Sequence, residues 1–514
     1  MTPLRTGRAR GTMPPVRGAS ETGRWTLVAV CATTFMLLVD ITIVNVALPS
    51  VQRQLHASLT GLQWVVDAYA VSLAALILTA GALADRYGRR LVFSAGIVLF
   101  TLASFICGVA WNVAALDVAR AMQGIGGAAL FATALALIGA EYQGPARMNA
   151  IAIWGSTVGF AVAAGPLVGG IITDSLSWRW IFFVNIPVGA LALALALRNV
   201  RESRDAEARR ADVGGLVSFS AALFLIVFGL LRGNEAGWGS PQILGVLLGG
   251  CALLAVFLVV ERLQERPMLD VSLFRRPAFL GVQVATFCLG AGMFALFPFL
   301  SIYLQDIDGY SPLGAGLRFL PITAFIFLVP LVTRKYAARV QLWVLLCSSL
   351  SIGAAGLALL ETVSVDSSWT VLLAGFVVCG IGIGLANPTI AGAALRVVDP
   401  SRTGMASGIS NTCRLGGLAV GVAALGVLLQ HRIGIHLAAA GYHGKAASAA
   451  VASSGLRAAR GDPRLAHAAN LAFVSGLHLI VLTGCLTLLV GAGASFLVRS
   501  RRVEAPEPVT APVS

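Results

Sequence analysis

One pattern recurs along this chain: a run of about twenty apolar residues, then a short polar turn. Fourteen such runs are legible, at approximately 25–49, 62–84, 91–110, 114–139, 148–172, 180–197, 213–231, 242–261, 278–304, 312–333, 340–360, 370–394, 404–429 and 472–497. A helix of that length crosses roughly 30 Å of hydrocarbon. Inside hydrocarbon every backbone polar group must be satisfied by the chain itself, which leaves helices or closed barrels. The ten-residue alternation of a membrane barrel is absent. The expected fold class is therefore an all-α polytopic membrane protein with fourteen transmembrane helices, and 57% hydrophobic against 12% charged residues leaves no room for a soluble domain of ordinary composition.

A net charge of +14 raises the question of nucleic acid. That reading needs basic residues gathered on one face. Here 26 of the 37 fall in the tails and in the loops from even to odd spans, whereas the short opposite loops hold only Arg53, Arg179 and Arg232. This asymmetry orients the bundle with both termini cytoplasmic. The long segment 430–471 carries five more basic residues, and its length allows an external position. The first 24 residues contain five arginines and no apolar stretch before Trp25, which does not fit a cleavable signal peptide. All eight cysteines lie inside apolar runs without a CxxC or Cys/His cluster, so neither a disulfide framework nor a metal site is expected.

Six charges remain inside the spans: Asp40, Asp67, Asp117, Arg120, Arg318 and Arg414. Charge at bilayer depth is expensive, and such residues mark ion pathways or binding sites. Withdrawal from water disfavours the charged form of a carboxylate. Asp40, in LLVDITIVNVALP, is thus a candidate for holding either a proton or a cationic substrate, in a helix expected to stop at Pro49. Asp67 reads as a vestibule or packing residue near the external end of span two, and Asp117 as a partner for Arg120 three residues on. Arg318 suits an anionic substrate group or an external seal, and Arg414, behind Asn411, the same on the inner side. Trp64, Tyr69, Trp154, Phe294 and Phe297 are rings on which a flat compound could stack.

The loop LADRYGRRLV after span two has a degenerate counterpart, LVTRKYAARVQL, after span ten. If they correspond, spans one to six match spans nine to fourteen, with seven and eight inserted. The expected organisation is a basic tail (1–24), a six-helix bundle (25–200), two linker helices with their flanks (201–276), a second six-helix bundle (277–498) containing an external loop (430–471), and a tail (499–514). A substrate site is expected where the halves meet.

GALADRYGRR, residues 81–90, resembles the loop motif of the major facilitator superfamily. That resemblance implies that Asp85 and Arg89 belong to a cytoplasmic charge network; the residues themselves read Asp85 as lying at a helix start within reach of Arg89, and Gly81 and Gly88 suit a close helix approach and a sharp turn. LDVARAMQGIGGAAL, residues 116–130, is similar to the family's span-four pattern, which carries proton coupling over to Arg120, with Gln123 one turn away; the likeness makes Arg120 the expected partner of Asp40, which would face the cavity between the two bundles. WGSTVGFAVAAGPLVGG, residues 154–170, resembles the antiporter motif of drug exporters. Gly155 with Gly159 and Gly165 with Gly169 would form two small-residue packing faces, with Pro166 and Gly170 completing the gating segment. The opening of span one, LQWVVDAYAVSLAALILTAG, WRWIFFVNIPVG and SGISNTCRLGG look like segments of the fourteen-spanner drug/proton antiporter subfamily.

Resemblance thus implies a major facilitator fold of two six-helix bundles plus two linker helices, and a proton-coupled exporter of amphipathic drugs or a related metabolite. It also implies a multi-pass protein of the bacterial cytoplasmic membrane, surrounded by lipid and acting as a monomer. An uptake symporter would share the fold and Asp40 but lack the Gly-Pro-Gly-Gly segment, and a membrane sensor fits the paired halves less well. No nucleotide loop or metal cluster is present in the sequence, so neither an enzyme nor ATP, cofactor or nucleic-acid binding is expected, and the proton gradient is left as the energy source.

Overall fold

The computed structural model describes residues 21–204, 213–263, 271–337, 340–365, 367–396, 403–442, 451 and 463–499. The tail arginines before residue 21, parts of four basic loops, most of segment 443–462 and the tail beyond 499 lie outside the described residues. Among those described, all regular structure is helical. Thirteen helical stretches are long and apolar enough to cross a membrane, and a shorter apolar stretch, Val217–Gly233, completes the fourteen spans expected.

Spans one to five are single helices: Glu21–Leu55, Leu59–Tyr87, Arg89–Val109, Val113–Glu141 and Gly144–Ser175. Span six divides into Trp180–Phe183 and Asn185–Asn199, and spans seven and eight are Val213–Ala236 and Pro241–Leu263. Span nine begins as Pro277–Gly292, loosens through turns at Phe294–Leu296 and Tyr303–Ile307, and holds Phe297–Ile302 between them. Span ten comprises Pro312–Arg318 and Leu320–Ala337, followed by Leu342–Leu360, Thr370–Arg396, Thr403–Ala439 and Pro463–Ala494. The end of the bundle at Tyr87 and Arg89 is called inner here, and the opposite end outer, after the charge asymmetry.

Local chemistry sets the turns. Ser58, Asn112 and Ser311 each accept a backbone N–H at a helix start, from Gly61 (3.1 Å), Ala115 (2.8 Å) and Gly314 (3.1 Å). Gly88 holds φ at +124° between spans two and three, where a Cβ would be strained. Span one does not stop at Pro49 but runs to Leu55: the proline removes one backbone donor, and packing against the neighbouring helices carries the helix through it. Span thirteen likewise continues to Ala439 and span fourteen starts at Pro463, so both flanks of the 430–471 segment are helical. Apolar residues alone underestimated them because these extensions carry His and Arg.

Span four packs on two and three, span one on five, and span nine on thirteen and fourteen. The halves meet where span five touches ten, span two touches thirteen and span one touches the outer part of nine. Span seven is less peripheral than a lipid-facing linker: it packs on spans two and thirteen, with Trp64 5.9 Å and 6.2 Å from the rings of Phe224 and Phe228.

Candidate functional site

Span four builds the core of the site. Its glycines remove the bulk that would hold neighbouring helices away: a Cβ on Gly126 would stand 2.7 Å from the Phe100 amide nitrogen, and one on Gly127 3.1 Å from Leu73 Cδ1. The close approach places Arg120, 1% exposed, against span one, where its Nη1 pairs with Oδ2 of the wholly buried Asp40. Arg120 Nε donates to the Val65 carbonyl at 3.0 Å and Nη1 to Gln123 Oε1 at 2.8 Å, while the Tyr69 ring lies 4.2 Å beneath the guanidinium. Asp40 is also held by Gln123 Nε2 at 3.2 Å and Asn185 Nδ2 at 3.0 Å. Ser104 accepts from Gln123 at 2.7 Å and Asn185 at 3.3 Å.

A buried ion pair offsets its desolvation only when further hydrogen bonds satisfy both partners, and this one has them. Losing one partner of such a pair costs about 3–5 kcal/mol. The network draws on spans one, two, three, four and six, so a change of charge at Asp40 reaches five helices at once. Asn185, Ser104 and Cys107, whose thiol donates to Gln123 at 3.3 Å, were not anticipated. The available signal was Asn185 itself, an amide inside the apolar WRWIFFVNIPVG.

Other expectations change. Arg120 pairs with Asp40 and not with Asp117, whose Oδ1 is buried without a partner. Asp85 lies on the last turn of span two, not at a helix start, and accepts from Arg89 Nη2 at 2.8 Å and Nε at 3.0 Å. The start of span three is instead bound by Glu202, which accepts from the backbone of Arg90 (3.1 Å) and Leu91 (3.2 Å). Gly81 makes no close approach, since a Cβ there would meet its nearest neighbour only at 4.0 Å.

The Gly-Pro-Gly-Gly segment of span five divides in two. Gly165 and Gly169 abut span one, with a Cβ on Gly169 falling 2.8 Å from the Ile43 carbonyl oxygen. Gly170 and Pro166 face span ten: a Cβ on Gly170 would reach 2.7 Å from the Pro312 carbonyl oxygen, and one on Gly316 2.6 Å from that of Pro166. Gly155 and Gly159 do not form the second packing face, because a Cβ on either meets nothing within 4 Å. Hydrogen bonds also join the halves, from Gln63 to the Val422 carbonyl (2.8 Å), from Gln305 to that of Val46 (2.8 Å) and from Thr412 to that of Ala74 (3.2 Å). The first two lie towards the outer end.

Beneath that closure a cavity of about 840 Å³, counted with the open space at its mouth, lies between the halves. Spans one, two, five, nine, ten and thirteen line it. Its walls are largely apolar, Thr42, Asn45 and Thr323 are polar, and among the described residues Arg414 is the one charged lining residue. Asp40 is not among the lining residues, so it does not face the cavity as expected. Phe294 and Phe297 do line it. Trp64 instead packs on span seven, Tyr69 sits under Arg120, and Trp154 Nε1 donates to Thr34 at 2.9 Å.

Asn411 Oδ1 accepts from Arg414 Nη2 at 3.1 Å and so orients it. Arg318 stands apart, at the outer end of the second half, with Cζ 3.3 Å from the centroid of the Tyr310 ring and 5.2 Å from that of Trp369. Burial pushes nearby Asp308 up to about 6, although a hydrogen bond with Tyr303 and the charge of Arg318 pull it down. Asp67 is wholly buried and neither carboxylate oxygen has a partner. It shares a face of span two with Gln63 and Ala74, both bonded to span thirteen.

Residues 30–422 match the family model of the Major Facilitator Superfamily. The chain is 37% identical to the multidrug resistance protein Stp of Mycobacterium tuberculosis over 79% of this chain and 75% of that one. It is 31% identical to the tetracenomycin C resistance and export protein of Streptomyces glaucescens, over 95% and 94%. Among solved structures it superposes on an inward-facing bacterial homologue of the human lysosomal transporter Spinster with a TM-score of 0.65, at 17% identity, over 94% of this chain and 98% of that one.

Proposed function

The chain belongs to the major facilitator superfamily, and we propose that it is an exporter that expels small amphipathic compounds, antibiotics among them, in exchange for protons. Its relatives at 31–37% identity bear the names of resistance and export proteins, and the observation that carries the proton side of the proposal is the buried Asp40–Arg120 pair. A proton on Asp40 cancels the charge that Arg120 answers, and leaves the guanidinium to the Val65 carbonyl and Gln123. Spans one and four are then free to shift.

Asp40 stands outside the cavity, so proton and substrate need not compete for one carboxylate. Span one links them: Asp40 faces span four, while Thr42 and Asn45 on the same helix line the cavity. Binding in the cavity and protonation behind it both bias the position of that helix, which is the condition for coupling two sites. On this proposal the protein works as a monomer in the bacterial cytoplasmic membrane, with both termini inside, and needs no ATP, cofactor or nucleic acid.

Inside-out vesicles test the reading. An imposed gradient, acidic within the vesicle, should drive accumulation of substrate without ATP, and an uncoupler should abolish it. Accumulation that needs ATP and survives the uncoupler would overturn it.

A further inference from the structure

We propose that the cavity selects amphipathic compounds whose polar end is anionic, such as a carboxylate or phenolate on an aromatic body, with Arg414 holding the anion and Phe294 and Phe297 the ring. This narrows the exporter reading and rests on it for the passage of such compounds, though not for their binding.

Arg414 is the charged residue of the cavity wall, and among the described residues no carboxylate pairs with it. Its hydrogen bond goes to the neutral amide oxygen of Asn411, 3.1 Å away on the same helix. A guanidinium carries five N–H donors in a planar fork that fits a carboxylate with two parallel bonds. Most of those donors therefore remain for a ligand. The other polar groups of the wall offer less: Thr42 donates to the Leu38 and Val39 carbonyls and Thr323 to that of Leu320, which spends both hydroxyl protons within their own helices. Asn45 contributes an amide whose Oδ1 has no partner.

The acids of the interior lie elsewhere. Asp40 is committed to Arg120, Gln123 and Asn185. Asp67 has neither oxygen bonded and does not line the cavity. A guanidinium among apolar walls without a counter-charge is costly, and a bound anion relieves that cost. A bound cation adds like charge in a medium that screens poorly.

The ring side is built beside it. Phe294 and Phe297 stack with centroids 6.2 Å apart and planes 21° apart, and Phe297 continues to Phe319 at 5.7 Å. Such a panel accepts a further flat ring in offset stacking.

Equilibrium dialysis of the purified protein in detergent, with no gradient present, tests this with two fused tricyclic probes of matched size, anthracene-9-carboxylate and protonated 9-aminoacridine. The unmodified protein should bind the carboxylate more tightly. Arg414→Gln should weaken the carboxylate about tenfold or more, Arg414→Lys less, and the acridinium should hold or tighten. Preference of the unmodified protein for the acridinium, or carboxylate affinity unchanged in Arg414→Gln, would overturn the proposal. The comparison on unmodified protein decides the matter even where Arg414→Gln fails to fold. A failure of gradient-driven transport would strike the exporter reading alone, since this binding needs no gradient.

Discussion

A carboxylate and a guanidinium meeting inside an apolar bundle stabilise it only while both remain fully bonded. Asn185 is therefore more than a filler in span six: it supplies one of the amide donors that hold Asp40. Asn185→Leu leaves a buried charged acceptor short of a donor, and should lower stability by about 1–3 kcal/mol, read as a fall in the thermal midpoint of the purified protein. Asp67 predicts the opposite sign. With no partner for either oxygen it is a net cost, and Asp67→Leu should raise the midpoint; a fall would mean that the carboxylate is held by a contact made in another state. Both acids were legible in the sequence, because charge in an apolar run is conspicuous. Their different fates were legible only in part: the family resemblance pointed to Arg120 as the partner of Asp40, eighty positions away, whereas no pattern in the sequence marks Asp67 as left without a partner.

Span five shows how one helix serves two neighbours. Gly165 and Gly169 pack on span one, while Gly170 and Pro166 interlock with Pro312 and Gly316 of span ten and close the outer end. Gly316→Leu would drive a side chain into the Pro166 carbonyl and pry the halves apart there. In a cysteine-free background, a cysteine at position 45 should then react faster with an impermeant thiol reagent applied from outside; unchanged labelling would place the closure elsewhere. The small-residue spacing of this segment was visible in the sequence, but spacing alone does not say which glycines have a neighbour. Gly155 and Gly159 have the same spacing as Gly165 and Gly169 and face open space. Helix ends differ from the hydropathy pattern for a related reason: hydropathy marks where a helix suits lipid, whereas spans one and thirteen run on for as long as their backbone bonds and packing are kept.

For the whole molecule, hydropathy makes the fourteen spans legible, and a repeated loop suggests their arrangement as paired halves. The division of labour between them follows from packing. The first half seals the Asp40–Arg120 pair within its own helices, and among the described residues the second half lends the cavity its one charged lining residue, Arg414. On the proposed mechanism the proton site and the substrate site are separate, and span one joins them. Asp40→Asn tests that separation most directly, in proteoliposomes loaded with anthracene-9-carboxylate. Uphill transport driven by a pH gradient should be lost, while counterflow exchange of labelled for unlabelled compound, which needs no net proton movement, should continue within about twofold of the unmodified rate. Loss of counterflow in parallel with uphill transport would contradict the account, because it would put the carboxylate in the substrate's own path.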